Sequence, residues 1–226
     1  MPFVVVDTSV SLPATLSPRG LARKFWIILA LGSLTYEVEH RRLELDALTK
    51  EAEESGGTAR GLEAALDRII RAEERRSALL ELLPYGIPED WVAVGSAPLF
   101  DEYERKLPEV SQKLKLQLSD ADIPKRRRQV EAVCVAGCPP FEPRDAPALT
   151  KDPEDDPIVY TALLGGCDLL ISDDYSHIVP DRSSELYEHG GASVLAVTFD
   201  HLLREYFPSD DVDFDAIEGG WLSAAF

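Results

Sequence analysis

Cysteine is scarce in this sequence: Cys134, Cys138 and Cys167 are the three in 226 residues. So small and odd a number, with no basic and apolar leader ahead of it, excludes a disulfide framework and points to a reducing, cytoplasmic setting. The four histidines, His40, His177, His189 and His201, offer Cys134 and Cys138 no partner at ligand spacing, so small buried thiols are expected there rather than a zinc site. Positive charge is the second shortage. With 23 basic against 41 acidic residues the formal net charge is −18, which repels polyanions at long range, so any contact with nucleic acid must be local. Long hydrophobic runs are missing as well. The most apolar stretch, Phe25 to Leu34, is shorter than the roughly 20 residues a bilayer requires and reads as a buried helix, so no membrane role is expected.

What is present suits one packed α/β domain with an elaboration: 45% of the residues are hydrophobic, enough for a substantial core. Phe3-Val4-Val5-Val6 is β-branched and does not alternate, the pattern of a strand buried on both faces of a parallel sheet rather than of a signal peptide. A turn at Ser17-Pro18-Arg19-Gly20 precedes a helix over Leu21 to Leu31. Trp91-Val92-Ala93-Val94 resumes strand character, and Ser96 and Pro98 mark the cap and first turn of another helix. Further helices are expected from Pro124 to Ala132 and from Pro157 to Leu164, the second running through Gly165-Gly166 into the strand Leu169-Leu170-Ile171. Ala192 to Thr198 is the last strand and Phe199 to Tyr206 the last helix. Alternating strands and helices imply a mainly parallel sheet whose chemistry sits at the carboxyl ends of the strands.

Between Ser33 and Leu83 the composition shifts to Glu, Arg, Leu and Ala, broken only at Ser55-Gly56-Gly57. Leu34, Val38, Leu45, Leu48 and Ala52 recur at helical spacing in the first half, and Leu62, Leu66, Ile69, Leu80 and Leu83 in the second. This predicts an antiparallel helical hairpin inserted over residues 33–88, serving oligomerisation or selection of partners. An acidic tail over 208–226 completes the chain.

Three acidic sites fall where chemistry is expected: Asp7 after the first strand, Asp155-Asp156 at a helix start, and Asp173-Asp174 after Ile171. Singly, each reads as a turn or helix cap. Together they can converge on one crevice, where clustered carboxylates call for a cation.

Val4-Val5-Val6-Asp7-Thr8-Ser9-Val10, Asp152-Pro153-Glu154-Asp155-Asp156-Pro157-Ile158 and Asp168-Leu169-Leu170-Ile171-Ser172-Asp173-Asp174, with Val92 to Arg105 between the first two, resemble in order and context the motifs of the PIN-domain nucleases, most closely their toxin-type branch. The resemblance covers about residues 3 to 206, apart from the hairpin. It implies a PIN-like α/β/α sandwich with a mainly parallel central sheet, formed by one domain over 1–226. It also implies that Asp7, Glu102, Asp156 and Asp174 are catalytic and hold Mg²⁺ or Mn²⁺, with the hydroxyls of Thr8 and Ser9 at the substrate. The implied activity is metal-dependent hydrolysis of RNA phosphodiesters by in-line attack that expels a 3′ oxygen, in a toxin or an RNA-processing enzyme, with an antitoxin or other protein as partner. Periodicity leaves Asp101 and Glu104 open beside Glu102, and Glu37 competes if the insertion begins later. Ser9 and Asp173 stand where the family favours asparagine and a small residue, which leaves Asp173 against Asp174 open.

Lys125-Arg126-Arg127-Arg128 is the best local candidate for phosphate contacts, against a solvated helix face. Arg71, Arg75 and Arg76 alternate with Glu73 and Glu74, the look of a salt-bridged helix. Trp91 and Trp221 suit packing better than base stacking. The expected function is therefore an endoribonuclease, the alternative being a PIN-fold binding or regulatory protein with weak catalysis, and a homodimer through the hairpin is the expected form. A phosphatase of the haloacid dehalogenase type is disfavoured, because Asp7-Thr8-Ser9 lacks the second aspartate two residues on.

Overall fold

The computed structural model describes residues 1–17, 20–55, 61–81, 88–134 and 136–207. The expected acidic tail, Trp221, Leu83 and the Gly56-Gly57 turn lie outside them. Strand β1 (Phe3–Val6) pairs in parallel with β2 (Val92–Gly95) on one side and β4 (Leu169–Ile171) on the other. The two-residue strand β3 (Ala136–Gly137) extends the sheet beyond β2, and β6 (Ala192–Val197) beyond β4, both parallel. Only the edge strand β5 (Ser184–His189) is antiparallel, giving the order β3-β2-β1-β4-β6-β5. The chain steps one way from β1 to β2 and β3, then returns to β4 on the far side of β1. The β1/β4 boundary is thus the switch point, where an open α/β sheet leaves a crevice beyond its strand ends.

Helices cover both faces. Alternation along β1 sends Val4 and Val6 to one side and Val5 to the other. The first side is packed by α1 (Thr8–Leu16), the inner part of α2 (Leu21–Ser55), α5 (Asp122–Val133) and α7 (Phe199–Tyr206). The second is packed by α6 (Asp156–Leu164), and α4 (Ala97–Lys113) contributes to both, through Tyr103 and Leu107 to one and Leu99 to the other. Ser96 caps α4 by accepting from Leu99 N, as its sequence predicts, and Thr198 caps α7 in the same way through His201 N. Trp91 packs against Phe25 and Phe207, not toward solvent.

The insertion is corrected in its boundary. No break occurs at Ser33, because α2 is one helix of 35 residues, about 50 Å long at 1.5 Å per residue. Phe25 to Leu31 are buried in the core, Ser33 Oγ accepts from Ala93 N at 3.1 Å, and a Cβ on Gly32 would stand 2.0 Å from the Trp91 carbonyl oxygen. Beyond Val38 no described side chain of α2 is buried. The outer part therefore projects and is covered along one side by α3 (Leu62–Leu80). The buried stripe of α3 is Ala65, Ile69, Ala72 and Leu79, whereas Leu66 is exposed. Small alanines let the arms approach closely, which displaces the stripe from the leucines that periodicity favours. Ion pairs Arg75–Glu37, Arg68–Glu44 and Arg76–Glu89 flank it.

Besides the two-residue β3, helix α1 and strand β5 are not apparent in the sequence. Helix α1 contains Pro13, which removes an amide donor and obscures the helical pattern. Strand β5 is an edge strand carrying Glu185 and Glu188, joined to β6 by Gly190 and Gly191 at φ +59° and +87°. No helix among the described residues is long and apolar enough to cross a membrane.

Candidate functional site

Asp7 occupies the switch point. Its amide donates to Ile171 O at 2.9 Å, locking the end of β1 to β4, and its carboxylate caps α1 by accepting from Thr8 N at 2.5 Å. The carboxylate is buried and held from both sides: Oδ2 accepts from Ser9 Oγ at 2.6 Å and from Ser172 Oγ at 2.7 Å. Thr8 Oγ1 lies 3.2 Å from Asp7 Oδ1 and 3.1 Å from Glu102 Oε1. The hydroxyls of Thr8 and Ser9, expected at the substrate, thus also orient the acids.

Glu102 reaches the crevice from α4 and pairs with Lys106 one turn on. Burial, followed by the charge of Asp7, raises its pKa against the pull of Lys106 and Thr8. Burial acts to lower the pKa of Lys106, but the hydrogen bond and charge of Glu102, with Asp7 and Asp155 behind it, raise it overall. The competing acids are elsewhere. Glu37 accepts from Arg75 on the hairpin at 3.1 Å, and Asp101 and Glu104 both bind Arg127.

At the start of α6 the structure exchanges the roles of two neighbours. Asp156 is the first helical residue, and its Oδ1 accepts from Leu149 N, Thr150 N and Thr150 Oγ1 at 2.9, 2.7 and 2.9 Å. Asp156, expected among the metal ligands, anchors the preceding loop through this oxygen. Asp155 is the cap residue, yet its side chain makes no capping bond. It is 5% exposed, its Oδ2 has no hydrogen-bond partner among the described residues, and that atom lies 3.1 Å from His177 Nδ1. Burial first, then the charges of Asp174 and Asp7, push its pKa up to about 6. Consecutive helical residues point about 100° apart, so a helix starting one residue earlier or later decides which aspartate enters the crevice.

Beyond β4 the two aspartates also divide. Asp173 Oδ1 accepts from Phe199 N at 3.0 Å, tying the loop to α7, and burial followed by Asp7 raises its pKa. Asp174 Oδ1 accepts from Ser176 N and His177 N, while its Oδ2 lies 3.6 Å from His177 Nδ1. Asp174 is thus the acid turned toward Asp155. Lys106, Ser172 and His177 are the site residues sequence reasoning does not select, and Asp155, read there as one of an acidic pair, is passed over for Asp156 in the ligand set.

Of the basic run, Arg127 is neutralised by Asp101, Glu104 and Glu131, and Arg126 donates to Thr15 O and Gln129 Oε1. These two guanidiniums hold α5 in place rather than reach outward. Lys125 and Arg128 remain exposed. A cleft of about 550 Å³ beside Glu102 carries two further arginines, Arg144 and Arg105, the latter paired with Glu154 at 3.1 Å, together with the acids Asp101 and Glu102.

The donor set fits a hard divalent cation. The charges of Asp174, Asp7 and Glu102 all act on Asp155, so acids from the end of β1, from α4, from the start of α6 and from the loop after β4 face one crevice, and among the described residues the group whose ligand atoms lie within 4.8 Å of one another is Asp152, Asp155 and His177. Comparison of the chain with protein-family models, curated proteins and solved structures finds no match.

Proposed function

We propose that this chain is a metal-dependent endoribonuclease with a PIN-like fold, acting as a toxin or in RNA processing. The observation that carries the reading is the charge of Asp174, Asp7 and Glu102 acting on Asp155 near the β1/β4 switch point, with Asp155 Oδ2 buried and without a hydrogen-bond partner among the described residues. These four would hold Mg²⁺ or Mn²⁺; Asp156, first expected in the set, would keep the 149–150 loop in position. A bound cation would supply the charge that polarises a phosphodiester and activates water.

The chain's own residues prepare that chemistry. Ser9 and Ser172 fix the Asp7 carboxylate, and Thr8 fixes its orientation relative to Glu102. Lys106 offers an ammonium beside Glu102 for a phosphate oxygen. Arg144, and Arg105 if it exchanges Glu154 for a phosphate, would be the cleft's contacts to an RNA strand, which the acids of the same lining and the net charge of −18 otherwise repel. A protein partner such as an antitoxin would cover the same cleft.

The Lys106–Glu102 pair also favours a second reading, a binding or regulatory protein with weak catalysis, because an internal cation already offsets part of the acidic charge. Incubation of purified protein with single-stranded RNA and Mn²⁺, with and without EDTA, separates the two. The nuclease reading requires EDTA-sensitive cleavage that Asp7→Asn reduces about 100-fold or more. Absence of cleavage by the wild-type chain, with RNA binding retained, leaves the regulatory reading.

A further inference from the structure

We propose that Asp152, Asp155 and His177 form a nitrogen-and-oxygen metal position at the mouth of the crevice, selective for a transition metal such as Zn²⁺ or Co²⁺ over Mg²⁺. It adjoins the proposed nuclease centre and shares Asp155 with it, but its occupancy does not rest on that reading.

One ligand atom from each residue falls within 4.8 Å of the others. His177 Nδ1 stands 3.1 Å from Asp155 Oδ2 and 3.7 Å from Asp152 Oδ2. Those separations bracket the ligand edge of about 3.4 Å that a tetrahedral ion with bonds of roughly 2.1 Å requires. Asp174 Oδ2, 3.6 Å from the same nitrogen, is within reach as a fourth donor. The independent sign of a missing ligand is Asp155 Oδ2, which belongs to a residue 5% exposed, faces the imidazole and has no hydrogen-bond partner among the described residues.

Each ligand is oriented by a separate contact. Asp152 Oδ1 accepts from Glu154 N, which leaves Oδ2 toward His177. The backbone of Asp155 donates to Asp152 O, and Asp156 braces the loop that carries both. His177 N donates to Asp174 Oδ1, while Tyr187 on β5 donates its phenolic proton toward the carbonyls of Ile178 and His177. The imidazole is therefore presented by a pinned backbone, and such preorganised second contacts commonly change metal affinity 10- to 100-fold. An imidazole with two or three carboxylates suits Zn²⁺, Co²⁺ or Mn²⁺, whereas Mg²⁺ prefers oxygen donors and retains water.

The test is titration of the full chain with Co²⁺, read by its visible absorption bands, and with Zn²⁺, read by calorimetry. His177→Gln and Asp152→Asn should each weaken Co²⁺ and Zn²⁺ binding about tenfold or more, with circular dichroism unchanged. Asp7→Asn should retain the Co²⁺ spectrum even though it removes Mn²⁺-dependent cleavage, and the spectrum should lack sulfur charge-transfer bands, which excludes Cys138. Co²⁺ binding by a wild-type chain that cleaves no RNA supports this site and sinks the nuclease reading. Unchanged Co²⁺ affinity in both His177→Gln and Asp152→Asn, loss of the spectrum in Asp7→Asn, or no uptake by wild type overturns the site. In the last case His177 serves as an ion-pair partner of the three aspartates.

Discussion

Asp7 and Glu102, 95 positions apart in the chain, are bridged by one hydroxyl: Thr8 Oγ1 lies 3.2 Å from Asp7 Oδ1 and 3.1 Å from Glu102 Oε1. One hydroxyl proton cannot serve both acceptors fully, so the pair retains unsatisfied negative charge even with Lys106 beside it. Glu37, by contrast, is spent on Arg75 at the hairpin.

Glu102→Gln is accordingly expected to lower Mn²⁺ affinity at least about tenfold, while Glu37→Gln leaves it unchanged. The latter loses only a partly exposed ion pair, worth up to about 1 kcal/mol. Calorimetric titration of both variants checks this. Equal affinities in Glu102→Gln and wild type remove Glu102 from the site.

Asp155 and Asp156 are expected to separate by phenotype. Asp155→Asn should lose Mn²⁺ binding yet fold well, because it removes a buried charge without breaking a hydrogen bond. Asp156→Ala should be less stable by about 1–2 kcal/mol, since it strips the charged acceptor from the half-buried amides of Leu149 and Thr150. Asp156→Asn keeps an acceptor oxygen and should remain close to wild type in both respects. Urea melts alongside metal titration decide the matter, and the assignment fails if Asp156→Asn abolishes binding while Asp155→Asn does not.

The pairing of neighbours at this helix start also marks where sequence reasoning reaches its limit. The strands β1, β2, β4 and β6 are legible because buried parallel strands demand uninterrupted β-branched runs, and the cap Ser96 is legible because orphan amides demand an acceptor. Asp7 and Asp174 follow from strand ends. The direction of a side chain at a helix start depends on a single residue of phase, which composition does not encode. His177 is likewise hidden, since its place beside Asp155 is created by the loop after β4 and by Tyr187 from β5. The continuity of α2 through Ser33 depends on Gly32 meeting Trp91, a contact between distant segments.

Stability of the metal-free chain should depend on pH through Asp155. Its carboxyl, ordinarily at 3.8, is pushed up to about 6 on folding, so the folded state binds the proton more tightly than the unfolded one. Below about pH 4 the group is protonated in both states and costs nothing; as pH rises from about 4 to 6 the folded chain loses stability, and above 6 the cost is complete. Asp155→Asn should therefore gain about 1–2 kcal/mol at pH 7, reduced from the full conversion because the crevice opens to solvent. Melts in EDTA should show this advantage shrinking toward zero by pH 4. An advantage that is constant across the range, or that grows in acid, contradicts the sign.

The projecting hairpin supplies the final prediction. Val38 on α2 and Leu79 on α3 are both buried, so a cut close to the domain would open the core. Farther out, Arg42 pairs with Glu73, which places the two arms level at that height. Replacing Leu43 to Ala72 by a short Gly/Ser turn removes the outer arm but retains the inner contacts. The loss is then mainly pairing between the two arms, because no described side chain of α2 beyond Val38 is buried. The shortened chain should fold and keep its Mn²⁺ affinity within about twofold, since Asp7, Glu102, Asp155 and Asp174 lie on other elements. The same preparation tests the homodimer expected through this arm, whose Leu43, Leu66 and Ile70 stand 68%, 48% and 46% exposed. Light scattering should then show wild type at twice the chain mass and the shortened protein as a monomer. A wild-type monomer removes the dimer, while an insoluble shortened chain shows that the outer arm supports the core.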